Sequence, residues 1–259
     1  MASKSYEIDM CNGPLLGKIL KFALPLMLSG VLQLLFNAAD IVVVGRWSSE
    51  QALAAVGSTS SLVNLLVNVF IGLSVGTSVQ VARHFGAQSA RDVRETVHTA
   101  ITLSLVSGVV LIFIGFFLSR PMLELMDTPD DVLDMATTYM RIYFAGMPVV
   151  MLYNFGSAVL RAVGDTRRPL YFLMLAGALN VVMNLFFVIV CGMDVDGVAL
   201  ATVLSQCVSA GLIVRSLMRS QGSYRLELKA LRIYRNKLFA ILRTGLPAGI
   251  QGALFSVSN

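Results

Sequence analysis

Asp40 is the residue best placed to do chemistry, because it puts a carboxylate inside a long and otherwise apolar stretch. A charge at the centre of a bilayer costs about 2.5–3.5 kcal/mol on insertion scales, so such residues face a cavity or a partner. Gln33, Asn37 and Asp40 follow i, i+4, i+7 spacing, which stacks them on one helical face. Asn180 and Asn184 are four residues apart in a later apolar stretch, Asn154 stands in another, and Thr202 and Gln206 in a fourth. Carboxylate, amide and hydroxyl oxygens converging on one place suit a proton or a small hard cation such as sodium. Pro25 precedes Asp40 by about four turns, where its missing N–H and its ring can bend the helix. Ion occupancy at Asp40 is thereby expected to bias the shape of its own helix.

Other chemistries lack their parts. Gly13-Pro-Leu-Leu-Gly17-Lys18 resembles a phosphate loop, but it is one spacer residue short, no strand precedes it, and Ile19 stands where Ser or Thr belongs. His84 and His98 have no second ligand at helical spacing, and Cys11, Cys191 and Cys207 match no metal or redox pattern. No Ser-His-Asp or Cys-His set can be assembled on one side of a membrane. The chain is therefore expected not to be an enzyme and to need no cofactor. Gly72-xxx-Gly76 and Gly245-xxx-Gly249 fit close helix packing. The 13 Met residues are expected mostly as pliable core filler.

The elements that must position these groups are transmembrane helices. Hydrophobic residues make up 56% of the chain and charged residues 14%, where soluble domains carry about a quarter charged. Apolar stretches long enough to cross a bilayer fall at about 19–44, 53–82, 97–118, 139–160, 170–191 and 197–218, and a seventh opens near 238. The second and fourth are expected to extend beyond the hydrocarbon. Period-two alternation is absent, which argues against a β-barrel. Of 20 Lys and Arg, 17 fall at or before the start of the first span or at or after the ends of the even-numbered ones, against Arg46, Arg120 and Arg141 elsewhere. That bias puts the N-terminus in the cytoplasm. It also explains the basic total as topology rather than nucleic-acid binding. The opposite face gathers Glu124, Asp127, Asp130, Asp131 and Asp134. No cleavable leader pattern precedes the first span, which is expected as a retained helix. Between about 220 and 243 basic and apolar residues alternate, and a helix lying along the membrane interface is expected there.

The chain also repeats itself. Residues 238–259 align without gaps on 16–37, with eight identities: Leu16/Leu238, Ile19/Ile241, Leu20/Leu242, Leu24/Leu246, Pro25/Pro247, Gly30/Gly252, Leu32/Leu254 and Asn37/Asn259. Lys21 and Arg243 match in charge. Six spans separate the copies, an even number, so both run the same way through the membrane. The expected organisation is a cytoplasmic N-terminus (1–18), a six-helix lobe (19–218), a cytoplasmic linker (219–237) and the truncated first helix of a second lobe (238–259). Lobes so related face each other across an axis along the membrane normal, with substrate between them.

The first span (ALPLMLSGVLQLLFNAADIVVVGRW, followed by ALAAVG) resembles the opening of the multidrug and toxic compound extrusion (MATE) family. So do ARHFGAQSARDVRE after the second span, NFGSAVLRAVGDTRRP from Asn154 and GVALATVLSQ from Gly197. The resemblance implies an all-α polytopic fold, the six-helix N-lobe of a twelve-helix, two-lobed transporter. It implies export of cationic, often aromatic, drugs in exchange for protons or sodium across a bacterial plasma membrane. Asp40 matches the family's essential first-helix aspartate, and Asn180, Asn184 and Thr202 match the residues that join it in one prokaryotic branch. Asn184 is a departure, since that branch often has Asp there, and this leaves the coupling ion open. Gln33, Asn37, Asn154 and Gln206 would form a supporting polar network. The alternative is a flippase for lipid-linked saccharides of the same broader superfamily, whose cavities often carry several basic residues. The spans lack Lys or Arg in their interiors, with Lys21, Arg141 and Arg215 close to span ends, which favours cationic cargo instead.

Overall fold

The computed structural model describes residues 15–258. Cys11, the first part of the phosphate-loop-like run, the expected N-terminal segment up to residue 14, and Asn259 lie outside the described residues. Eight α-helices follow one another: α1 (Leu15–Trp47), α2 (Glu50–Gly86), α3 (Ala90–Leu125), α4 (Asp130–Ala145), α5 (Met147–Ala162), α6 (Arg167–Leu185), α7 (Val195–Arg219) and α8 (Arg235–Ser258). Five are long and apolar enough to cross a membrane, and the α4–α5 pair makes a sixth span when taken together. Helices dominate because in lipid every backbone N–H and C=O must find its partner within its own segment.

The expected fourth span, 139–160, is in fact a broken one. It begins earlier, at Asp130, and α4 and α5 meet at 47° across Gly146. The cause is local: Pro148 enters the first turn of α5 and supplies no N–H, while a Cβ on Gly146 would press on the Val203 side chain at 2.5 Å. α2 does exceed the expected apolar stretch, at 37 residues, capped by the Ser49 hydroxyl accepting from Ala52 N at 3.1 Å.

The interfacial helix expected between 220 and 243 does not form as such. Residues between Arg219 and Arg235 are irregular, with a turn closed by Arg225 N donating to Gly222 O at 3.1 Å and one 3₁₀ turn at Leu228–Ala230. Tyr224 and Leu226 are buried while Arg225 and Glu227 are exposed, an alternation of two, the period of an extended segment. This strap is pinned to the start of α3. Glu227 N donates to His98 Nε2 at 3.2 Å, Tyr234 N donates to Thr99 Oγ1 at 3.1 Å, and Arg94 pairs with Glu227 at 2.7 Å. His98 Nδ1 lies 2.8 Å from Arg94 O, so one ring nitrogen donates and the other accepts. His98 is thus a satisfied buried clamp.

Two apolar cores sit in the bundle. One runs through α2 to α5 and includes Met140, Phe144, Met147, Met151 and Phe155; the other joins α5 and α7 to the strap through Leu160, Ile213, Leu217, Tyr224 and Leu226. Three of the expected filler methionines are fully buried there, whereas Met27, Met126, Met174 and Met218 are exposed. The outer faces of α1 and α3 expose large apolar residues, among them Leu34, Leu35, Phe113, Phe116 and Phe117. Exposed apolar surface so extensive marks contact with lipid or a partner.

Contacts between junctions show that the two ends of the bundle differ in charge. The α2–α3, α5–α6 and α7–α8 junctions gather at one end, linked by Lys237–Asp92, Arg94–Glu227 and Arg168–Ser216. At the α5–α6 turn Asp165 is buried and ion-paired with Arg168; burial pushes its carboxyl up, and Arg168 pulls it back. The other end carries Arg120 between Glu124 and Asp134, and Ser48 donating to Asp194.

Candidate functional site

Three helices bring four of the sequence-selected groups together. α6 carries Asn180 and Asn184 one turn apart, both buried, α1 supplies Asp40 and α7 supplies Thr202. Asn184 Nδ2 donates to Asp40 Oδ1 at 2.5 Å and to Asn180 Oδ1 at 3.3 Å. Asn180 Nδ2 donates to Thr202 Oγ1 at 3.2 Å, and that hydroxyl donates to Val198 O at 3.0 Å. The chain of donors therefore runs from Asn184 outward in two directions. Its carbonyl oxygen is left buried and without a partner among the described residues. A buried acceptor beside a carboxylate is a place for a positive charge or a proton-bearing group, because an unsatisfied acceptor otherwise costs about 1–3 kcal/mol.

The scaffold explains the placement. Phe36 of α1 lies over Gly177 of α6, where any Cβ would overlap its ring, so α1 can lean on α6 just below the level of Asp40. Immediately after Asn184 the helix widens into a π-helical turn, Phe186–Val190, closed by Cys191 N donating to Phe186 O at 3.1 Å. Such turns recur at functional sites because they re-aim side chains.

The other four polar residues do not join this set. Gln33 and Asn37 stand exposed on α1. Asn154 Nδ2 is spent on Val150 O at 2.9 Å within its own helix, and Gln206 Oε1 accepts from Ser209 Oγ at 3.1 Å. Sequence reasoning missed two residues that do approach. Tyr139 and Tyr143 of α4 lie within electrostatic reach of Asp40, their rings stacked with centroids 6.1 Å apart. Their i, i+4 spacing at the start of a span was a usable signal, since a buried tyrosine keeps a hydroxyl that seeks a partner. Among the described residues no group of three His, Cys, Asp or Glu side chains could hold a metal ion, so the oxygen set at Asp40 relies on amides and hydroxyls.

The comparisons with known proteins decide the family. The MatE family pattern matches residues 25–186, well over half of the chain. The chain belongs to the MatE family. It is 33% identical over 248 residues to a probable multidrug resistance protein, YoeA, of Bacillus subtilis, covering 92% of this chain and 53% of that protein. Among solved structures it is similar to a MATE in the straight conformation, with a TM-score of 0.88 and 28% identity over 100% of this chain and 57% of that one. It is also similar to a MATE in the bent conformation, with a TM-score of 0.86 and 28% identity over 93% and 54%. The chain thus spans about half the length of the curated relatives it matches. Its described helices match the N-lobe of MatE transporters, and it is a multi-pass membrane protein whose relatives include probable multidrug resistance proteins and a multidrug export protein. MatE proteins are transporters rather than enzymes.

Proposed function

We propose that this chain is the N-lobe portion of an ion-coupled exporter of small cationic organic compounds, with Asp40, Asn180, Asn184 and Thr202 as its coupling site. The observation that carries this reading is the hydrogen-bonded path from Asp40 through Asn184 and Asn180 to Thr202, which ties α1 to α6 and α7. A proton or a sodium ion at Asp40 would replace the short bond from Asn184 and change how firmly α1 is held to α6. α1 remains hydrogen-bonded helix across Pro25, with Ser29 Oγ donating to Pro25 O at 2.8 Å, so Pro25 is a point at which such a change could bend it. Relatives solved in bent and straight conformations support a protein that moves between shapes.

In this reading the basic end of the bundle faces the cytoplasm of a plasma membrane, as the excess of Lys and Arg there favours. Residues 1–18 and 219–237 are then cytoplasmic, 19–218 form the lobe, and 238–259 open the second lobe. The test is efflux of a cationic dye from cells carrying the complete transporter, driven by an imposed proton or sodium gradient. Asp40→Asn is expected to reduce gradient-driven efflux at least tenfold while leaving expression unchanged. Efflux at the parent rate would remove Asp40 from the mechanism. Comparing the two gradients on the parent protein assigns the ion.

A further inference from the structure

α2 and α8 form the most extensive helix pair among the described residues, and their seam is made of two unlike parts. Its middle is backbone against backbone. A Cβ at Gly72 would overlap the backbone of Gly249, and one at Gly249 would overlap that of Val69. At Gly76 it would fall 2.5 Å from Ile241 O, and at Gly245 2.7 Å from Leu73 Cα. The two glycine pairs that the sequence marked for close packing therefore pack against each other. The end of the seam at the basic face is polar. Gln80 Nε2 donates to Thr244 Oγ1 at 3.2 Å. Beside it, Lys237 Nζ lies 2.5 Å from Asp92 Oδ1 on the first turn of α3 and 3.4 Å from His84 Nε2 of α2, and Ser89 Oγ in the α2–α3 turn donates to Asp92 Oδ2 at 2.5 Å.

These parts have different mechanical properties. Glycine surfaces meet without interlocking side chains, so they can separate and meet again without repacking any rotamer. Lipid supplies no hydrophobic force to press them together, and what holds them is dispersion at close range. The polar end is where attraction can be switched. The Lys237 side chain is only 13% exposed and that of Asp92 39%, so their attraction is less screened than at an open surface. Arg91 and Glu95 pair with each other at 2.9 Å, which leaves the Asp92 carboxylate to Lys237. An open cleft of about 690 Å³, lined in part by Ser89, Arg91, Asp92, Glu95, Arg235 and Lys237, lets solvent reach the pair.

We propose that Lys237 of α8 and Asp92 on the first turn of α3, buttressed by Ser89 and His84, form a latch that ties α8 to the α2–α3 turn and so holds it closed on α2, and that the glycine seam above it parts and recloses when the latch is released. The strap between α7 and α8 keeps its own bonds to His98 and Thr99 during release, so α8 swings from a fixed point rather than leaving the lobe. The latch depends on no particular cargo or coupling ion, and it stands or falls apart from the export reading.

The test is the rate of disulfide formation between Gln80→Cys and Thr244→Cys, measured in membrane vesicles on the 259-residue chain with Cys11, Cys191 and Cys207 replaced by Ser. With the latch intact the pair is expected to cross-link readily. Asp92→Lys should slow the initial rate about tenfold, and adding Lys237→Asp should restore it to within twofold. Lys237→Met, which keeps the side-chain stem, should slow it severalfold and covers the case in which charge reversal prevents insertion. Cross-linking at the parent rate in Asp92→Lys or in Lys237→Met overturns the proposal. Failure of the charge swap to restore the rate in correctly inserted protein does so as well.

Discussion

α1 and α8 are copies of one sequence pattern put to opposite uses. Both carry the proline (Pro25, Pro247) and the glycine five residues later (Gly30, Gly252). α8 lies with its backbone on that of α2, whereas around Gly30 of α1 nothing stands within 4 Å. The conserved positions do not make this difference. Gly245 and Gly249, which form the seam, align with Ala23 and Met27 of α1, and Met27 is 71% exposed. Two small residues on one face convert a loosely leaning helix into a tightly seated one, because approach distance in a membrane is set by the largest side chain at the contact. α1 meets α6 through the Phe36 ring over Gly177 and through Asp40 on Asn184. One copy is seated backbone on backbone, the other by a single ring and a carboxylate.

The largest effect should come from breaking the seat. Gly76→Leu puts a branched side chain where even a Cβ meets the backbone of α8. Overpacking of this kind costs about 1–3 kcal/mol or more, which is a loss of about fivefold to a hundredfold in Gln80–Thr244 cross-linking. Gly30→Leu on α1 is the control, and it should leave the cross-linking rate and the thermal midpoint of the purified chain unchanged. Equal sensitivity at the two positions would show that the repeats are seated alike.

The complementary break is on the electrostatic side. Asn184→Ala removes the donor to both Asp40 and Asn180 and leaves two acceptors unserved. The expected loss is about 1–3 kcal/mol, read as a lower melting midpoint in detergent. Asn184→Asp is the sharpening variant. It sets a second carboxylate in contact with Asp40, and two carboxylates at that distance retain one proton or recruit a cation. Sodium should then raise its melting midpoint by more than it raises the parent's. Identical shifts would mean that Asn184 does not face the ion.

How much of this was legible in the sequence depended on whether a signal was local. Span positions and the two glycine pairs follow from residue type and spacing on single helices, whereas the Asp40–Asn180–Asn184–Thr202 set is singled out from the other polar residues by the resemblance to the MATE family. That the glycine pairs are partners of each other did not follow, since spacing marks a packing face without naming what it packs on. The break at Gly146 was visible in Gly-Met-Pro but was masked by continuous hydropathy on both sides. The strap misled for a related reason. Its residues alternate basic and apolar, which suits an interfacial helix as well as an extended segment, and only Tyr224 and Leu226 docking beside Leu217 decides between them. Gln33 and Asn37 share a face with Asp40 as expected, but a shared face does not fix a shared neighbour.

The strap gives a smaller and more local prediction, and it bears on the comparison because it ties down α8. His98 satisfies two backbone groups at once, Arg94 O through one ring nitrogen and the Glu227 N–H through the other. His98→Ala leaves both unpaired and opens a gap beside Leu226. The cost is about 1–2 kcal/mol, confined to the strap, so trypsin should cut after Arg225 or Arg232 severalfold faster while the seam cross-link changes less than twofold. A seam that loosens together with the strap would mean that α8 is held from its end rather than along its glycine face. In that case the sequence difference between Gly245-xxx-Gly249 and Ala23-xxx-Met27 would no longer explain why the two copies sit so differently.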